Sequence, residues 1–176
     1  KSQGPVIALG VDLFSEDSRQ VEIWELDRVL VEGHIPQNRD DALISTKLAD
    51  QLDLVVGETV TFIGSTMDNA FTTYNFNVSG TFNLRKGQTD KQMMIVDLSG
   101  ARLALDMDNA ASAIFGFTHS LYYDDEAAVA LRTHYNNTIS DSLGIFSPFM
   151  LALRDGNQMG TMVDVSGAII AIMGGI

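Results

Sequence analysis

The chain of 176 residues has no cysteine, which excludes a disulfide framework and any thiolate metal site, whatever the redox compartment. Basic residues are scarce. Eleven lysines and arginines stand against 23 aspartates and glutamates, a formal net charge of −12, so nothing here neutralises a run of phosphates. Nucleic acid and anionic membrane surfaces are therefore disfavoured as partners, and the acidity reads as a well-hydrated surface. Catalytic signatures are missing too. There is no GxSxG elbow to expose a serine, no Walker loop to cradle nucleotide phosphates and no HExxH pair to hold zinc. His34, His119 and His134 lie far apart, a spacing that fits packed or solvated histidines better than a metal site. The opening KSQGPVIALGVD lacks a charged region followed by an apolar one, so it does not read as a signal peptide. Either a cytosolic protein or one with a further upstream segment is consistent with that.

What is present is apolar patterning. With 45% hydrophobic residues, the chain suffices for one core or for two small subdomains sharing an interface. Val6 to Val11 reads as a strand, and IWELDRVLVEG as a strand or turn ending at Gly33. HIPQNRDD is a surface loop. In ALISTKLADQLDLVVGETVTFIG, Leu43 and Ile44 close a strand, and Ser45 or Thr46 caps a helix of barely two turns carrying Leu48, Ala49 and Leu52. Gly57 turns the corner into a strand in which Val60 and Phe62 alternate with threonines. YNFNVSGTFNL alternates strictly from Tyr74 to Leu84, predicting one buried and one wet face in an antiparallel sheet. RKGQTDK is a charged loop and MMIVDL a buried strand, after which Asp97 or Ser99 caps a helix from Ala101 to Met107. FGFTHSLYY reads as a strand. Asp124 and Asp125 suit a helix N-terminus, with Ala128, Leu131 and Tyr135 along one face. No internal repeat is visible.

From Pro148 onwards the pattern predicts one long helix with the proline in its first turn. Its final AIIAIMGGI has no polar side chain. Nine residues are too few to cross a bilayer, which takes about 20, so the segment is either the start of a span or a buried terminal helix. Asp40 with Asp41, and Asp124 to Glu126, are acidic clusters without the ligand spacing of an EF-hand loop, and solvation and helix capping account for them. Met159, Met162 and Met173 read as a packing stripe. Asn77-Val78-Ser79 and Asn136-Asn137-Thr138 match the glycosylation acceptor triplet, a pattern common by chance. No catalytic, cofactor-binding or metal-ligating residue is assigned, and no cofactor is expected.

The run LDRVLVEGHIPQNRDDALISTKLADQLDLVVGETVTFI resembles the extracytoplasmic core domain of MacB-like and FtsX-like ABC-transporter permeases. The matching residues are Gly33, Pro36, Leu43, Ile44, Ser45, Leu48, Ala49, Leu52, Leu54, Val56, Gly57, Glu58 and Val60, continued by Phe76, Val78, Gly80, Phe82, Val96, Leu98 and Ala101. Glu58 stands where the family has aspartate, and the family's first strand and helix before Gly10-Val11-Asp12 are missing.

This resemblance implies an α+β, two-lobed periplasmic domain of mixed or antiparallel sheets, short helices and a long C-terminal stem helix. Residues 1–21 and 111–147 would form a membrane-proximal lobe, 22–110 an inserted sheet-rich lobe, and 148–176 a stem leading into a transmembrane helix. The implied function is non-catalytic: coupling ATP hydrolysis in the cytoplasm to movement or release of a substrate or partner outside the inner membrane. The implied partners are a second permease copy, an ABC ATPase, and a periplasmic adaptor or lipoprotein carrier. The competing expectation is a free-standing extracytoplasmic binding or scaffold module. An enzyme ranks third, resting only on the acidic clusters.

Overall fold

The computed structural model describes residues 2–84, 89–114, 123–139 and 147–156. Contacts divide the chain into two units, 1–114 and 115–176. The first contains β1 (Ile7–Val11), α1 (Gln20–Ile23), α2 (Leu26–Val29), β2 (Leu30–Gly33), β3 (Asp41–Ser45), α3 (Thr46–Leu52), β4 (Thr59–Ser65), β5 (Phe71–Phe82), β6 (Met93–Asp97) and α4 (Leu98–Leu105). The six strands form one sheet in the order β1-β6-β3-β5-β2, with β4 also paired to β5. It is a mixed sheet: β1 with β6 and β3 with β5 run parallel, the other pairs antiparallel. Short helices and a mixed sheet place the fold in the expected α+β class. β1, from the segment 1–21, is hydrogen-bonded into the same sheet as the strands between 22 and 110.

The central strands are buried on both faces, a departure from the expected single wet face. Ala42, Ile44, Phe76, Val78, Met94 and Val96 pack into one cluster with Leu48 and Ala49 of α3. Leu43, Met93, Ile95 and Phe82 pack into a second with Leu26. Strict alternation along β5 would put Phe76, Val78 and Phe82 on one side of the sheet. A bulge prevents this. Ala42 pairs with Val78 but Leu43 with Gly80, leaving Ser79 as an extra residue, and beyond it the side chains change face. The Ser79 hydroxyl donates to the Ala42 carbonyl at 3.3 Å, so the irregularity is satisfied internally.

Two strand–helix units repeat one design that the residue pattern does not reveal. Ser45 ends β3 and Asp97 ends β6 with the same backbone, φ −66° and ψ 147°, and each caps its helix through a side-chain oxygen. Both helices close on an aspartate in the left-handed region, Asp53 and Asp106, a conformation aspartate tolerates better than most residues. β3 and β6 are antiparallel neighbours, each flanked by a parallel strand. The four strands β5-β3-β6-β1 thus obey an approximate two-fold. The helix after Asp97 ends at Leu105 rather than Met107.

At the corner before β4, Gly57 has φ +93°, and its N–H donates to the Val78 carbonyl at 2.8 Å. A Cβ there would meet nothing within 4 Å. Gly57→Val is therefore expected to cost only the backbone term, about 1–2 kcal/mol, read as a fall in melting temperature. An unchanged melting temperature would show that the turn tolerates a branched residue.

In the second unit, α5 spans Asp125–Thr138 and is capped by Asp124, which accepts from the Ala127 N–H. Its covered face differs from the expected one, since Leu131 is 56% exposed. Residues 147–156 determine that face. Asn136 clamps Met150 through two hydrogen bonds, to its N–H at 2.8 Å and its carbonyl at 2.9 Å. Arg154 binds Asp125, and Arg132 binds Asp155. These bonds hold 148–152 non-helical, with only a 3-10 turn at Leu153–Asp155, so the expected helix does not begin at Pro148. The rest of that stem, with Met159, Met162 and Met173, lies outside the described residues, as does the expected strand at 115–122. No helix among the described residues is long and apolar enough to cross a membrane.

Candidate functional site

The parallel strands β1 and β6 both end in Val-Asp-Leu, at 11–13 and 96–98, with Val11 in register with Asp97. A cleft of about 280 Å³ opens at this end, lined by Asp12, Phe14, Ser15, Asp97, Leu98, Ser99 and Arg102. Asp97 is 2% exposed. One of its oxygens accepts the Leu13 N–H at 2.9 Å and the other the Ser99 N–H at 2.8 Å and the Ser99 hydroxyl. Asp12 closes the adjoining loop by accepting from the N–H groups of Phe14 and Ser15. Hydrogen bonding from the Ser15 side chain is the main cause holding the Asp12 carboxyl below its ordinary range. Burial opposes that shift, and backbone N–H groups and the Arg102 charge add to it. Arg102 in turn donates through Nε to the Ala110 carbonyl at 2.9 Å.

Chemically, this arrangement fastens structure together. A serine becomes a nucleophile only when a base accepts its proton, and the bases beside Ser15 and Ser99 are carboxylates already accepting backbone donors. The residue pattern offers Asp97 or Ser99 as the cap, of which Asp97 fills the place, but does not reveal the cleft around it. The signal was the repeated Val-Asp-Leu.

The acidic pairs are engaged as well. Asp40 accepts the Tyr74 hydroxyl, whose pKa is raised by burial and then by that bond and the carboxylate charge. Asp41 accepts from the N–H groups of Gln37 and Asn38, both at 3.0 Å, and so ties down the loop that precedes β3. Asp125 and Asp155 are held below the ordinary carboxylate range chiefly by hydrogen bonds from Arg154 and Arg132 respectively. His34 is exposed, with Nδ1 2.9 Å from the Ile35 carbonyl. His134 is exposed on α5, and His119 lies outside the described residues. Among the described residues, no group of three histidine or acidic side chains is placed to hold a metal ion. Of the acceptor triplets, Asn136 is committed to Met150, while Asn77 accepts from the Thr59 hydroxyl at 3.4 Å.

No family model matches the chain, and no curated protein is significantly similar to it.

Proposed function

We infer that the chain is a non-catalytic extracytoplasmic domain of an ABC-transporter permease of the MacB-like and FtsX-like group. In this reading it couples cytoplasmic ATP hydrolysis to the movement or release of a substrate or partner outside the inner membrane. What supports it is the order of the motif residues from Gly33 to Ala101, together with the positions they take in the fold. Leu43, Ile44 and Ser45 form the buried central strand, Leu48 and Ala49 the buried face of α3, and Gly57 the left-handed corner. The residues carrying the resemblance thus include central-strand residues, the buried face of α3 and the corner before β4. Fold and function are separable, so the placement outside the membrane, the two-lobed arrangement and the stem belong to the proposal. So do a second permease copy, a separate ATPase, and an adaptor or lipoprotein carrier.

The lack of cysteine supplies the test. In the whole protein expressed in bacteria, with any cysteine outside this segment replaced, Asp68→Cys places a single thiol at the exposed turn between β4 and β5. An impermeant maleimide added to intact spheroplasts should label it, and the labelled protein should sediment with the inner membrane. Labelling without membrane attachment would favour the free-standing module. Labelling only after lysis would overturn the extracytoplasmic placement.

A further inference from the structure

Segment 147–156 carries the signals of a helix that it does not form. Ser147 suits an N-cap, Pro148 the first helical position and Gly156 the residue after the end, and Phe149 to Asp155 contains no glycine, proline or β-branched residue. Yet Phe149, Leu151 and Leu153 are exposed while Met150 and Ala152 turn inward, and Ala152 has φ −81° and ψ 158°. That is the period and the backbone of extended chain. What holds it extended is polar. Asn136 binds both backbone groups of Met150, the Tyr123 hydroxyl accepts the Leu153 N–H at 3.1 Å, Arg154 donates to Asp125, and Arg132 donates to Asp155. Asp125, Arg132 and Asn136 stand at i, i+7 and i+11, one stripe of α5. Little core lies beneath that stripe: α5 has no buried residue, and Ala152 is the one buried residue of 147–156. A segment with so few buried apolar contacts belongs to the low end of local stability.

We propose that 148–155 is a two-state element, an extended strap latched to α5 by these side chains that converts to a short capped helix when the latch opens. The two forms are closely matched. The strap keeps its polar anchors, whereas the helix sets Phe149, Met150 and Leu153 on one face, so that Phe149 and Leu153, now 68% and 44% exposed, gain apolar cover. Eight residues are too few for a helix that is stable on its own, so the anchors decide between the forms. This helix closes at Gly156, unlike the long one that the residue pattern predicts. Taking 148–152 from about 3.3 to about 1.5 Å per residue shortens the chain by about 9 Å. Tension along the chain therefore favours the strap, and slack favours the helix. The proposal goes beyond the transporter reading and does not depend on it.

Backbone chemical shifts of the whole chain, measured by NMR, test this. Arg132→Gln combined with Asn136→Ala removes the bonds to Asp155 and Met150 and places good helix formers in α5. The ratio of helix to strap should rise about tenfold or more, read as Cα and Cβ shifts of 149–153 moving from extended to helical values while those of α5 stay helical. Adding Leu151→Pro, which extended chain accepts and a helix interior does not, should abolish the helical shifts. Shifts that stay extended in the double variant would show that these side chains are no latch, and random-coil shifts would show that opening the latch yields no helix. Either result overturns the proposal. Should the double variant lose α5, saturation-transfer exchange in the wild-type chain decides: a minor state with helical shifts at 149–153, absent from Leu151→Pro, upholds the proposal, and no such state overturns it.

Discussion

Gly33→Ala should destabilise the first unit by about 3 kcal/mol or more, the sum of a left-handed backbone penalty of about 1–2 kcal/mol and overpacking of about 1–3 kcal/mol. Gly33 has φ +76°, and a Cβ there would lie 2.2 Å from the Ser79 carbonyl oxygen and 2.7 Å from the Gly80 Cα. Both atoms are backbone in β5, next to the bulge. They cannot yield without disturbing the ladder that carries the core. The crowding is mutual, for a Cβ on Gly80 would come within 2.7 Å of the Glu32 carbonyl oxygen. The His34 N–H, donating to the Ser79 carbonyl at 2.9 Å, fixes the approach. Gly57→Ala is the comparison: it shares the positive φ and has free space for the Cβ. Denaturant unfolding of the two variants separates steric from conformational cost. Equal losses would mean that β2 shifts away from β5 at little cost.

The β3-α3-β4 region was legible because its signals are local. Ser45 caps, Leu48 and Ala49 face inward, and Gly57 permits the corner; each effect acts within a few residues. β5 was half legible. Its alternation located the strand, but whether residue 79 bulges depends on what β3 presents across the ladder, and residue pattern carries no record of a partner strand. The same holds for the parallel pairings and for the buried second face. The helix expected from Pro148 failed for a comparable reason. Helical propensity in 148–152 competes with Asn136, which presents an amide to Met150 much as a neighbouring strand would, and tertiary contacts override local preference. On α5 the covered face follows Arg132 and Asn136 rather than Leu131, because polar anchors on 147–156 bind there. Cysteine, histidine and phosphate-loop signatures are read within short stretches of sequence. The cleft at the end of β1 and β6 lay outside such motifs, since it joins residues 84 apart in sequence.

Asp97→Ala should cost about 2–4 kcal/mol, combining a lost helix cap of about 1 kcal/mol with about 1–3 kcal/mol for donors left unpaired. This carboxylate serves two elements at once. It caps α4 through the Ser99 N–H and reaches the Leu13 N–H, which holds the chain leaving β1 where Leu13 packs on the second core cluster. The approximate two-fold within the sheet supplies the means of separating these effects. Ser45 occupies the equivalent place on β3, with the same φ and ψ, and caps α3 through the Leu48 N–H at 3.1 Å. Asp97→Ser should then keep a cap, through the Gly100 N–H, while its shorter side chain loses Leu13. Its expected loss is smaller than that of alanine by roughly the value of a cap, about 1 kcal/mol. Amide exchange resolves the two contributions: Leu13 should exchange faster in both variants, and the first turn of α4 faster only in Asp97→Ala. If serine destabilises as much as alanine, the cap contributes little and the bridge to β1 carries the contribution of the Asp97 side chain at this corner. If alanine costs under about 1 kcal/mol, below the range for an orphaned buried donor, solvent reaches Leu13 through the cleft and the carboxylate does not join the two strands.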